Sequence, residues 1–105
     1  MDISIGSTFD FTINFPEEYD LSNAAEVWVT FKQYNSIVMD LTLSHSDFTV
    51  SENHINIHLT QQQTNLFQTG EAQMQTRVRM ANEEALVQQP VTDINILGVI
   101  KEGVI

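Results

Sequence analysis

Three side chains at alternate positions, His54, Asn56 and His58, are the sharpest candidate for chemistry in this 105-residue chain. On a strand all three point to one face, where two imidazoles and an amide suggest a metal site. Strand geometry argues otherwise. At ~3.3 Å per residue His54 and His58 stand about 13 Å apart, too far to share one zinc. A ligand pair would need one of them together with His45 or with an acid from a neighbouring strand. Without such a partner the three read as polar residues on a solvated strand face. Glu17, Glu18 and Asp20 offer a second candidate, a weak calcium site, but the Asp-x-Asp-x-Asp-Gly order that wraps calcium is missing. An acidic surface turn accounts for them.

Other chemistry is thinner still. The chain has no cysteine, and its four glycines are isolated at positions 6, 70, 98 and 103, so no phosphate-cradling loop is present. Serine and threonine hydroxyls are the available nucleophiles, and none sits in a recognisable activating context. The expectation is no catalytic residue, no metal and no cofactor. A carboxylate pair for glycoside hydrolysis could meet only in the fold. A chain this small, without pocket-building insertions, ranks an enzyme behind binding and structural roles.

Surface residues are more informative. Val27 and Val29 claim the inward face of their strand, so Trp28 points outward and is either covered by a local loop or tail or belongs to an interface. Arg77 and Arg79 share an outward face, to pair with acids across neighbouring strands or to bind a partner. Residues 99–105 form an apolar tail with two charges, in which Val99, Ile100, Val104 and Ile105 need something to pack on. They fold back over the Trp28 region or dock on a second copy or a larger protein. The candidate protein interface is therefore Trp28, Arg77, Arg79, Val99, Ile100, Val104 and Ile105.

Composition bounds the partners. Fourteen acids face Lys32, Arg77, Arg79 and Lys101, a net charge of −10. That charge repels phosphate backbones and anionic lipid heads, which argues against nucleic acid and membrane partners. The acids are scattered, so solubility alone can explain them. Residues 1–3 lack the start of a signal peptide, and no apolar run approaches the ~18 residues of a membrane span. A soluble chain made in the cytoplasm is expected.

The elements that must position these residues are strands. Phe9, Phe11, Ile13 and Phe15 share one strand face, and Val27, Val29 and Phe31 share another. Ile37, Met39, Leu41 and Leu43 alternate with Val38, Asp40 and Thr42. A short strand at 48–50 precedes Ile55, Ile57 and Leu59. The period breaks at 60–68, where Thr60 and Gln63 fit a capping box, Leu66 and Phe67 anchor a helical turn, and Gly70 suits the left-handed position after it. Ala72, Met74, Thr76, Val78 and Met80 then face inward. A last strand spans about 86–97, with Pro90 implying a bulge or an edge. Phe11, Ile13, Val29, Leu41, Ile57 and Val78 belong to one core. Seven or eight strands with turns about every ten residues, and a helical turn crossing between sheets, predict a Greek-key β-sandwich over residues 1–98.

Several phrases of the chain resemble small immunoglobulin-like domains of bacteriophage tail and baseplate proteins, of the type at the N-terminus of a baseplate upper protein. Residues 6–13, Gly-Ser-Thr-Phe-Asp-Phe-Thr-Ile, resemble their Gly-Asp-Thr-Phe-like entry, with Ser7 where the acid often stands. Residues 20–31, from Asp-Leu-Ser-Asn-Ala-Ala to Phe31, look like their Asp-Leu-Ser-Gly-Ala turn and second strand, with Asn23 in place of the turn glycine. Residues 59–66 are similar to their capped helical turn. Residues 70–78 are similar to their Gly-x-Tyr-like strand, with Met74 where an aromatic is common. The resemblance implies an immunoglobulin-like sandwich in a virion, acting as a structural or adaptor protein on other tail or baseplate proteins or on itself, with self-association left open. It brings no catalytic residue. The alternative is a carbohydrate-type ligand-binding module built on Trp28 or the loop tips, which calls for more than one aromatic on a single exposed surface.

Overall fold

The computed structural model describes residues 1–87 and 91–105. Its strands are β1 (Asp2–Ser4), β2 (Phe9–Asn14), β3 (Ala24–Gln33), β4 (Ser36–Thr42), β5 (Thr49–Ser51), β6 (His54–Leu59), β7 (Gly70–Met80), β8 (Ala85–Val87) and β9 (Thr92–Leu97). One sheet runs β1-β9-β7-β3-β4, with β8 also on β7; the other runs β2-β6-β5. All pairs are antiparallel except β1 with β9. Two facing sheets with these crossovers make an immunoglobulin-like Greek-key β-sandwich.

Period-two patterning builds the core. Val27, Val29 and Phe31 of β3 are fully buried, as are Ile55 and Leu59 of β6 and Ile94 of β9. Burial of each such side chain contributes about 1.5–3 kcal/mol relative to exposure. Phe31 is the hub: its ring meets Phe67 at 5.8 Å and Phe11 at 6.5 Å, both edge-on. Phe11 comes from the opposite sheet and Phe67 from the crossing segment, so one ring joins three parts of the chain. Ile13, Val29, Leu41, Ile57 and Val78 are buried as expected, whereas Phe11 is half-buried. It lies on β2, an edge strand of the smaller sheet, with no strand of the described residues on its far side.

The first crossing starts at β1, a strand the periodicity did not mark. Its parallel pairing covers the β9 edge that otherwise lay open. The chain then leaves one sheet for the other through Gly6, at φ +80°, where a Cβ would come within 2.9 Å of the Gly103 carbonyl oxygen. The last crossing, from β6 to β7, is a single helical turn, α1 (Gln61–Thr64), closed by the expected capping box. The Thr60 hydroxyl accepts from the Gln63 amide, and the Gln63 side chain accepts from the Thr60 amide. Phe67 anchors it, but Leu66 is exposed; buried Thr64 takes the inward place instead. A shorter 3₁₀ turn at Leu21–Asn23 leads into β3.

Two irregularities re-aim side chains. Phe31 pairs with Met39 but Lys32 with Ile37, so Val38 is an extra residue and Ile37 moves to the outer face, 64% exposed. The return to β7 is split into β8 and β9, whose registers differ by two residues. The bulge or edge expected at Pro90 falls outside the described residues. Tyr34 and Asn35, both at positive φ, close the β3–β4 hairpin as a two-residue turn.

Phe31→Ala is expected to destabilise the domain by about 3–5 kcal/mol, through lost transfer energy and a cavity between the sheets. Ile37→Ala should change it by no more than about 0.5 kcal/mol. Urea unfolding of both variants checks this, and equal effects would contradict the bulged register.

Candidate functional site

The outer face of the larger sheet collects the surface residues of interest. Register sets Trp28 opposite Arg77, Glu26 opposite Arg79 and Lys32 opposite Gln73. The Arg77 guanidinium lies over the Trp28 ring, 5.5 Å from its centroid, a contact of about 0.5–1 kcal/mol at an exposed site. Trp28 remains 46% exposed. It stands between a cleft of about 140 Å³, shared with Glu26, Arg77, Arg79 and Glu83, and a groove of about 410 Å³ that also takes in Lys32, Ile37, Asp40 and Gln75. Among the described residues it is the only aromatic on this face; Tyr34 sits at the hairpin tip and donates its hydroxyl to the Thr69 carbonyl.

Among the described residues the arginines do not pair with acids across the strands. Glu26 is placed opposite Arg79, yet its carboxylate accepts from the backbone amides of Val27, at 2.9 Å, and Ser44, at 3.2 Å. Partial desolvation works to raise the Glu26 pKa, but hydrogen bonds from Ser44, Val27 and Leu43 outweigh it and hold the carboxyl below its ordinary range. Asp40 in turn accepts the Thr30 hydroxyl. Among the described residues the one contact of salt-bridge length joins the His58 ring to Asp10, so Lys32, Arg77 and Arg79 carry charge without a carboxylate partner there.

The tail lies elsewhere. Ile105 donates its amide to the Gln61 side chain at 2.7 Å, and Gly103 passes beside Gly6, at the end of the sandwich that holds α1. It gives no cover to Trp28, and Val99, Ile100, Val104 and Ile105 are all exposed. The seven interface candidates thus separate: Trp28, Arg77 and Arg79 share the sheet face, while the tail that carries Val99, Ile100, Val104 and Ile105 ends against α1 at Ile105. Lys32 and Ile37 join the first group. Strand parity with Trp28 signals Lys32; Ile37 has no sequence signal, because the bulge at Val38 puts it there.

The histidine face forms a polar ladder on the smaller sheet. His54 bonds Asn14 at 2.6 Å, Thr12 donates to Asn56 at 3.0 Å, and His58 bonds Asp10 at 2.5 Å, each across the β2–β6 pair. His58 and Asp10 line an open concavity of about 520 Å³ with Ser46 and Thr49. An oriented imidazole is half of a nucleophile-activating relay. Among the described residues no hydroxyl bonds the other ring nitrogen. Asp20 caps the 3₁₀ turn, accepting from the Ser22 hydroxyl and amide, which together lower its pKa. No group of three or more metal-ligating side chains is assembled among the described residues, and no helix there is long and apolar enough to cross a membrane.

The Glu26 bonds have a pH signature. A carboxyl with a folded pKa below its unfolded value, about 4.3, contributes stability that is complete above about pH 5. It is lost as pH falls through the folded value. Urea midpoints of wild type and Glu26→Gln should therefore differ at pH 7 and draw together as pH falls below the unfolded value and through the folded one. A difference constant across that range would contradict the assignment.

No family model matches the chain, and a search of curated proteins finds no match. Among solved structures the chain is similar to AggA, the major subunit of aggregative adherence fimbriae type I from Escherichia coli. That alignment has 10% identity and a TM-score of 0.39, and covers 93% of this chain and 88% of that one.

Proposed function

We propose that this chain is a non-enzymatic structural or adaptor domain of a bacteriophage or prophage tail or baseplate, working through protein–protein contacts. One observation carries the contact role: a sheet face on which Trp28 is half-exposed and Arg77, Arg79 and Lys32 have no carboxylate partner among the described residues. An exposed Trp beside arginines is the composition of interface hot spots. The tail origin is supported by the resemblance of residues 6–13, 20–31, 59–66 and 70–78 to tail and baseplate domains. Its site of action is then the virion, its partners are other tail or baseplate proteins or further copies of itself, and synthesis is in the host cytoplasm. A carbohydrate-binding role has less support, since Trp28 lacks a second aromatic on its face and one side of its ring is taken by Arg77.

Mass spectrometry of particles purified after induction of a host carrying the coding sequence tests this directly. The chain should co-purify with complete particles in several copies each. Complete particles without it, with the whole pool free in the lysate, would overturn the proposal.

A further inference from the structure

We infer that the Trp28–Arg77–Arg79 face docks an extended acidic segment of a partner protein, one whose carboxylates stand at alternate positions. This deepens the protein-contact reading above and rests on it. Arg77 and Arg79 are alternate residues of β7, both exposed on the outer face, and so about 7 Å apart. An extended segment presents its own alternate side chains at the same interval, so two carboxylates can each meet one guanidinium fork.

Charge complementarity selects the occupant. Three of the four cations of the chain, Lys32, Arg77 and Arg79, stand on this face, and none is ion-paired among the described residues although the chain has fourteen acids. The nearby acids are otherwise engaged: Glu26 by two backbone amides and Asp40 by the Thr30 hydroxyl. Glu83, exposed at the cleft margin, and Glu71 and Asp93, exposed further along the outer face on β7 and β9, are exceptions. Stacking on Trp28 holds the Arg77 guanidinium in place before any partner arrives, which reduces the side-chain entropy lost on docking. Trp28 and the re-aimed Ile37 supply apolar surface beside the charges. A nucleic acid would meet the same cations but the repulsion of a chain with net charge −10.

Trp28 is the sole tryptophan, so its fluorescence reads the site directly. The probe is the synthetic peptide acetyl-Thr-Glu-Val-Glu-Val-Thr-amide, with a control in which both glutamates are lysines. The acidic peptide should give a saturable change in emission below about 1 mM, weakened at high salt. Arg77→Gln and Arg79→Gln should each weaken it about tenfold. Arg79→Lys, which keeps the charge but loses the fork, should weaken it by less. Circular dichroism confirms that each variant is folded before titration. No saturable change, an equal response to the lysine peptide, or indifference to the arginine substitutions would overturn the inference. So would a stronger response to an oligosaccharide or oligonucleotide than to the acidic peptide. Should the peptide fail while the chain is still found in purified particles, the docking inference falls and the structural role stands.

Discussion

One buried hydroxyl ties together two of the four crossings between the sheets. Thr64 Oγ1 accepts from the Gly6 amide at 3.0 Å and donates to the Ser7 carbonyl at 2.7 Å. Gly6 and Ser7 carry the chain from β1 to β2, and Thr64 ends the helical turn that carries it from β6 to β7. Loss of this hydroxyl would leave two backbone groups unsatisfied in a site where Thr64 itself has no exposure, and each such group costs about 1–3 kcal/mol. The neighbouring Gln33 acts in the same way. Its buried amide donates to the Gln68 carbonyl and accepts from the Gln68 amide, tying the end of β3 to the segment entering β7.

These ties explain why the outer face is free to serve another purpose. Among the described residues no buried side-chain nitrogen or oxygen lacks a partner, so the interior is complete without help from the surface arginines. β3 and β7, central in the larger sheet, are clamped at one end by Gln33, Gln68 and Tyr34, and their inward side chains are locked around Phe31. A sheet fixed in this way presents Trp28 and Arg77 in one geometry, the condition for a pre-organised contact.

The sandwich and the identity of its inward residues were legible in the sequence because a period of two is a local signal. Val27, Val29, Ile57 and Val78 could be placed from alternation alone, and the capping box of Thr60 and Gln63 from their spacing. What escaped depended on partners distant in the chain. β1 is three residues long and exists through parallel pairing to β9, about ninety residues away. Ile37 alternates correctly with Met39 and Leu41 but is turned outward by a bulge that no local pattern announces. Gln33 had a signal that was not used: it follows Val27, Val29 and Phe31 at inward parity, where a polar residue demands a buried partner. Of the interface candidates, Trp28 could be assigned outward from its neighbours. The stacking of Arg77 on it, and the tail's position beside α1, required the fold.

The central claim is a division of labour, with Thr64 holding the fold and the Trp28 face spare for contact. Urea unfolding of two variants measures it most directly. Thr64→Val, nearly isosteric, should lose about 2 kcal/mol or more from the two orphaned backbone groups. The combined Trp28→Ser, Arg77→Ala and Arg79→Ala variant should lose under about 1 kcal/mol, the scale of one exposed cation–π contact. A stable Thr64→Val protein beside an unfolded triple variant would contradict the account, because the outer face would then be part of what holds the domain together.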